Sequence, residues 1–277
     1  MARELDGAAL IERSINKKFR KTIWNKFIEA VRHYELISAG DRIAVCISGG
    51  KDSMLLGLLM KMLLRYSDIP FEVEFLVMDP GYSEENRLKI EQNAAMLGIT
   101  PKFFNSDIFA IAENSGGSPC YLCARMRRGH LYAEAKRLGC NKIALGHHMS
   151  DVIETTLMGI MYGAQIQGML PRLSSTNFEG MELIRPLYCI LEEDILSWCD
   201  YNDLHFIRCA CRFTEKASCD SSESKRLETK LLIKELKKTN PNIERNLFNS
   251  LHHVNVDTFP AYKQNGEMHS FLERFEK

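Results

Sequence analysis

The run Ile43–Leu59, IAVCISGGKDSMLLGLL, constrains the chain more than any other stretch. Ile43–Ile47 is wholly apolar and reads as a strand buried on both faces, as in the middle of a parallel sheet. Met54–Leu64 is apolar nearly all round, which predicts a buried helix. Between them lies Ser48-Gly49-Gly50-Lys51-Asp52-Ser53. A strand that hands over to a helix through two glycines makes an anion site. Backbone N–H groups and the positive end of the helix dipole point at whatever binds there. Gly49 and Gly50 let the backbone bend and approach a ligand closely. Lys51 supplies a positive charge, and Ser48 and Ser53 supply hydroxyl donors. Asp52 would cap the helix or help to hold Mg2+. The spacing of glycine to lysine is shorter than in the P-loop of ordinary kinases.

The rest of the chain repeats the alternation. Strands are expected at Phe71–Met78, Pro101–Asn105, Lys142–Leu145 and Glu182–Leu187. Helices are expected over 12–37, Glu84–Leu97, Tyr121–Leu138, Asp151–Tyr162 and Glu192–Asp203, with Gly98 and Gly139 as stop signals. Strands alternating with helices predict an α/β fold with a doubly wound, mostly parallel sheet. The expected organisation is a helical N-terminal segment over 1–40, an α/β nucleotide-binding domain over 41–205, and a mostly helical extension over 206–277 that ends in a loose tail.

Every apolar run is interrupted by a charge or a proline before it could span a bilayer, and the N-terminus lacks the apolar core of a signal peptide. A cytoplasmic protein with no membrane partner is expected. The formal net charge of +0 argues against a uniformly basic surface, yet charge is locally concentrated. Residues 10–35 carry seven Lys/Arg against three acids, and 208–253 carry ten against six. Arg125, Arg127, Arg128, Lys136 and Arg137 fall within thirteen residues that hold one glutamate. Such segments suit a polyanion, or else form solvated helix faces. Arg125 and Arg128, three apart on a helix, share a face and could reach one phosphate together.

Nine cysteines at this spacing do not suggest a disulfide framework, which leaves metal or redox chemistry. Cys120-Tyr121-Leu122-Cys123 opens a helix, where two thiolates can bind zinc or an iron–sulfur cluster or act as a dithiol. Cys46, Cys140, Cys189 and Cys199 read as small structural residues. His147, His148, Asp151 and Glu154 follow the end of a strand, the edge at which ligands bind in open α/β sheets. The histidines would meet ATP phosphate or a cluster pocket, and Asp151 would hold Mg2+. Glu154 reads either as part of this site or as a helix-surface charge.

Two stretches carry a resemblance. SGGKDS after an apolar strand resembles the pyrophosphate loop of the N-type ATP pyrophosphatases, the PP-loop superfamily. The fold this implies is adenine nucleotide alpha hydrolase-like, and the chemistry is cleavage of ATP to AMP and pyrophosphate with adenylation of a carbonyl-type oxygen. Residues 120–163, CYLCARMRRGHLYAEAKRLGCNKIALGHHMSDVIETTLMGIMYG, resemble the tRNA 2-thiocytidine synthetase family, and the likeness runs on through GMLPRL and IRPLYC, Ile184 to Cys189. It covers roughly residues 10–255, with three motifs in family order at family spacing.

The resemblance implies ATP on Ser48, Gly49, Gly50, Lys51, Asp52 and Ser53, with adenine near Met78 and Asp79. Gly146, His147, His148 and Asp151 would complete the nucleotide site, and Asp52 and Asp151 would hold Mg2+. It also implies a [4Fe-4S] cluster on Cys120, Cys123 and Cys209, with Cys211 as the alternative third ligand and Cys219 as a bystander. The residues carrying the chemistry would be Lys51, Asp52, Cys120, Cys123 and Cys209. The expected partners are tRNA, a sulfur donor (cysteine desulfurase or free sulfide) and a second copy of the chain. The sequence departs from the family twice: C-x-C replaces C-x-x-C at 209–211, and Ser150 stands where a second aspartate is usual. Three competing readings follow. One is a lysidine-synthetase-like ligase or amidotransferase whose C-x-x-C holds structural zinc. Another is a cluster-dependent sulfurtransferase acting on another tRNA base or a small molecule. The last is a binding module without chemistry, for which Ser150 is the only support.

Overall fold

The computed structural model describes residues 7–106, 119–207 and 221–275, with side chains omitted at 119–126 and 221–224. Its main sheet comprises β1 (Arg42–Ile47), β2 (Glu72–Asp79), β3 (Lys102–Asn105), β4 (Lys142–Ala144), β5 (Arg172–Ser174) and β6 (Glu182–Ile184). They lie in the order β3-β2-β1-β4-β6-β5. All pairs are parallel except β5 with β6. The helices are α1 (Gly7–Asn16), α2 (Asn25–His33), α3 (Lys51–Tyr66), α4 (Glu84–Met96), α5 (Pro119–Arg137), α6 (Met149–Gly163), α7 (Glu192–Tyr201), α8 (Ser221–Thr239) and α9 (Ile243–Ser250). The expected α/β architecture with a mostly parallel, doubly wound sheet is therefore present.

Alternation along β1 explains the two layers. Ile43, Val45 and Ile47 point into one core with α3, α4 and the N-terminal helices. Ala44 and Cys46 point into the other, with Tyr132 and Ala135 of α5. On that second face Tyr132 stacks on Phe178 with ring centroids 5.1 Å apart. Helix α3 is buried around most of its circumference, as its composition predicts.

Three expectations are corrected. The single helix over 12–37 is α1, a π-helical turn at Arg20–Trp24, and α2. The buried residues Ile11, Ile15, Phe19, Ile23 and Phe27 are each four apart. At about 100° per residue a regular helix would carry each one some 40° further off the core. The wider turn, in which Trp24 N–H donates to Phe19 O at 3.3 Å, returns them to one face. Second, the strand expected over Glu182–Leu187 stops at Ile184, because Pro186 has no N–H to give a ladder. Its antiparallel neighbour β5 is only three residues long and has no periodic signal.

Third, the loose tail contains a hairpin, β7 (Ala261–Gln264) paired antiparallel with β8 (Glu267–Ser270). Asn265 and Gly266 turn it with φ of 50° and 91°, the left-handed pair that a two-residue hairpin turn requires. The Tyr262 and His269 rings stack across the strands at 5.1 Å. The chain divides into two compact units, one ending at Arg226 and a smaller one beginning at Leu227. Among the described residues no helix is long and apolar enough to cross a membrane.

At the N-terminal edge of the sheet, Lys142 is 1% exposed. Its ammonium donates to Leu36 O at 3.0 Å and pairs with Asp41 at 2.7 Å and Glu182 at 3.3 Å. This buried cluster ties the chain after α2 to β4 and β6.

Candidate phosphate-binding site

The strand order places the site. The chain steps from β1 outward through β2 to β3, then returns to the other side of β1 with β4. A crevice opens between the carboxyl ends of β1 and β4, where the winding reverses. The two segments that flank it are Ser48–Ser53 and Gly146–Asp151.

In the first segment Gly49 has φ of +88°, a left-handed conformation that L side chains rarely adopt. A Cβ there would lie 2.7 Å from Ile90 Cγ1. Gly50 is the extended N-cap residue of α3. Ser53 closes the loop: its hydroxyl donates to Gly50 O at 2.9 Å and accepts the Ser48 N–H at 3.0 Å. The Ser48 hydroxyl lies 3.1 Å from it. The loop is thus bent back on itself at the N-terminus of α3, the place in a fold where anions are cradled. Gly146 fits against this loop so closely that a Cβ would meet the Asp52 and Ser53 backbone at 3.0 Å.

Lys51 donates to Asp52 at 3.2 Å and to Glu192 at 3.0 Å. Burial acts to lower the lysine pKa, but the Asp52 and Glu192 carboxylates outweigh it and hold the pKa above the ordinary value. Glu192 begins α7, and its backbone N–H donates to the Ser150 hydroxyl at 3.1 Å. Ser150, which stands in place of an acid, is therefore a buried anchor for the helix that carries the lysine's partner.

In the second segment His148 and Asp151 form a reciprocal cap at the start of α6. His148 Nδ1 accepts the Asp151 N–H at 3.3 Å, and Asp151 Oδ2 accepts the His148 N–H at 3.0 Å. His148 Nε2 faces Asp52 Oδ1 across 3.6 Å, and that carboxylate oxygen is buried with no hydrogen-bond partner among the described residues. Arg226 bridges Asp151 at 3.1 Å and Glu154 at 3.6 Å. Glu154 is 2% exposed, so its reading as a helix-surface charge is corrected: it is a buried carboxylate facing an arginine. Burial, with Arg185 close by, pushes the His147 imidazole down to about 4, so it is neutral at pH 7. Its Nδ1 is buried without a partner among the described residues.

A cavity of about 390 Å³ joins these parts; Ser48, Asp52, Ser53, Gly146, His147 and Asp151 line it together with Met78. Arg127 and Leu131 of α5 close another side. Asp79 holds the turn that follows β2. It accepts the Gly81 and Tyr82 N–H groups at 2.9 and 2.8 Å and pairs with Arg87 at 3.3 Å. Cys120 and Cys123 fall in the first turn of α5, but their side chains, like that of Arg125, are not among those described. Cys209, Cys211 and Cys219 lie outside the described residues altogether. No group of three His, Cys, Asp or Glu arranged to hold a metal occurs among the described residues. Sequence reasoning misses Glu192 and Arg226. Both sit in ordinary charged helix starts, and only the fold brings them to the loop.

A loop that cradles anions at the switch point of a doubly wound sheet defines a nucleotide-binding α/β protein. The model of the PP-loop domain matches residues 13–211. The tRNA-cytidine(32) 2-sulfurtransferase of Geotalea uraniireducens is 35% identical over 236 residues, covering 84% of this chain and 91% of that one. That of Geotalea daltonii is 36% identical over 250 residues, covering 89% and 95%. The chain belongs to the PP-loop family and, within it, to the family of the tRNA-cytidine(32) 2-sulfurtransferases. The solved structure of the U34-tRNA thiolase NcsA from Methanococcus maripaludis with its [4Fe-4S] cluster is similar with a TM-score of 0.65. At 20% identity over 83% of this chain and 79% of that one, the likeness is one of fold.

Proposed function

We propose that this chain is an ATP-dependent tRNA sulfurtransferase that replaces the C2 oxygen of a cytidine with sulfur, the cytidine being position 32 as in its relatives' names. The observation that carries the reading is spatial. Helix α5, whose first turn holds Cys120 and Cys123, lines the same cavity as Ser48, Asp52 and Ser53 of the phosphate loop.

The cytidine C2 oxygen attacks the α-phosphorus of ATP, the bond to the β-phosphate breaks, and pyrophosphate leaves. Sulfide then adds at C2, the C2–O bond breaks, and AMP departs, so the exchange needs no oxidant or reductant. The Ser48–Ser53 backbone and Lys51 would hold the leaving pyrophosphate, and charge neutralisation at that point lowers the barrier. Met78 offers an apolar surface for adenine, with Asp79 shaping the turn beside it. Gly146, His147, His148 and Asp151 form the opposite wall, and enclosure by α5 keeps water from the activated ester. Asp52, whose Oδ1 is buried with no hydrogen-bond partner among the described residues, would hold Mg2+, and Asp151 would share it in exchange for its contact with Arg226, the ion neutralising phosphate charge.

A donor set of cysteines alone suits a [4Fe-4S] cluster, which Cys120, Cys123 and either Cys209 or Cys211 would hold. When bound, it would supply an iron at which sulfur is presented to C2. Residues 10–35, Arg125–Arg137 and 208–238 would contact tRNA, with 1–40 and 206–277 acting as additions to a core domain at 41–205. Free sulfide, or sulfur from a cysteine desulfurase brought to the sulfide level by a two-electron thiol reductant, a homodimer and a cytoplasmic setting belong to the same reading.

The test is iron and acid-labile sulfide per chain after anaerobic purification, together with tRNA-dependent AMP formation. The reading expects about four of each. They should be lost in Cys120→Ala and Cys123→Ala and in only one of Cys209→Ala and Cys211→Ala. One zinc and no sulfide would instead indicate a ligase.

A further inference from the structure

Arg185 follows the last residue of β6, and β6 lies directly beside β4 in register, Ala144 opposite Ile184. It therefore stands at the same carboxyl edge as His147. Only 7% of Arg185 is exposed. Arginine is almost never buried so far without a paired carboxylate, because an uncompensated charge in a low-dielectric interior is costly. Yet no carboxylate lies within salt-bridge distance of Arg185 among the described residues. Its Nη1 donates to the Leu170 carbonyl, and its Nε is buried with no hydrogen-bond partner among the described residues. The carboxylate that does act on it electrostatically, Asp151, is committed to the His148 N–H and to Arg226. Its other charged neighbour is Arg128, of like sign. His147, on which Arg185 acts electrostatically, also has a buried Nδ1 without a partner among the described residues.

We propose that Arg185, with His147 near it, forms an anion subsite on the His147 side of the cavity, and that its ligand is a phosphate ester. The Leu170 carbonyl takes one corner of the guanidinium, and a phosphate that displaces what covers the buried Nε edge would make the fork-like contact that arginine makes with phosphate. His147, held neutral, can add one N–H donor. Burial together with Arg128 pushes the Arg185 guanidinium down to about 10, which still leaves it charged at pH 7. The phosphate ester could belong to the nucleotide (its α-phosphate) or to the RNA backbone at the target base. Both sources carry the same chemistry. The inference rests on the proposed nucleotide and RNA chemistry of the cavity.

The experiment measures dissociation constants of the full chain for AMP and for a synthetic cytidine-containing RNA stem–loop, in wild type, Arg185→Met and Arg185→Lys, and for ATP in wild type and Lys51→Met. Arg185→Met is expected to weaken one ligand by roughly tenfold or more, the loss of a charge-assisted fork. Weaker AMP binding assigns the α-phosphate, and weaker RNA binding assigns the backbone. Arg185→Lys keeps the charge and loses the fork, so it should weaken the same ligand by roughly threefold or more, and it serves if Arg185→Met does not fold. Wild-type affinity for both ligands in a folded Arg185 variant would overturn the subsite. Unchanged ATP binding in Lys51→Met would instead count against the phosphate-loop reading, and the Arg185 comparison would stand apart from it.

Discussion

Gly49 illustrates how much a single position can demand. Its left-handed φ and the 2.7 Å approach of Ile90 mean that Gly49→Ala brings backbone strain and a steric clash together. We expect a loss of about 1–3 kcal/mol in denaturant unfolding, together with weaker ATP binding. At the other edge of the sheet, Asp41 answers the buried Lys142. Asp41→Asn should cost about 3 kcal/mol or more, because it leaves a buried ammonium short of its closest counter-charge. Burial acts to raise the Asp41 pKa, but hydrogen bonds from Lys142, Asn141 and the Ser38 N–H outweigh it, and the folded pKa lies below the ordinary 3.8. A depressed carboxylate contributes stability that is present above its unfolded pKa and disappears as pH falls through the folded one. Acid unfolding of Asp41→Asn should therefore show a smaller loss of stability below pH 3.8 than wild type. The phosphate loop is legible in the sequence because its chemistry lies in six consecutive residues. Glu192, Arg226 and Arg185 are not, since only the fold brings Glu192 to Lys51, Arg226 to Asp151 and Arg185 near His147.

Among the elements, the N-terminal helices show what a hydrophobic pattern leaves open. Apolar positions at helical spacing from Ile15 through Phe19, Ile23 and Phe27 to Val31 predict one helix, and their overall direction toward the core is right. The regular interval of four that runs through them is also the signature of a wide turn, and it becomes legible only once burial singles out Ile11, Ile15, Phe19, Ile23 and Phe27. Inserting an alanine after the exposed Lys21 would add about 100° of rotation beyond the one extra residue that the π-turn at Arg20–Trp24 already accommodates, and so turn Ile11 and Ile15 away from the core. We expect that insertion to destabilise by about 2 kcal/mol or more, whereas Lys21→Ala should be nearly neutral, as read by denaturant midpoints. The hairpin at Ala261–Ser270 escapes the sequence reading although Asn265-Gly266 is a strong turn signal. Its flanking strands are short and polar, so the alternation that would normally announce them is weak.

For the molecule as a whole, a net charge of +0 means that attraction to RNA must come from local fields rather than from the total. Arg13, Lys17, Lys18, Arg20 and Lys21 are exposed along the N-terminal segment. Reversing Lys17 and Lys21 to glutamate should weaken tRNA binding, with AMP binding unchanged. Its log–log salt dependence should flatten by roughly 0.7–0.9 for each phosphate that is no longer neutralised. An unchanged salt slope would remove this face from the interaction. The core holds a further consequence, for sulfur itself. Cys46, Cys140, Cys189 and Cys199 are buried and free. Burial pushes their thiols up to about 12, 11, 11 and 12. Almost no thiolate forms on them near neutral pH, so they are poor nucleophiles and poor acceptors of stray sulfur. In the folded chain, an alkylating reagent then becomes a selective reporter. Whatever it tags falls on Cys120, Cys123, Cys209, Cys211 or Cys219, and those that a bound cluster shields drop out of the labelling pattern by name.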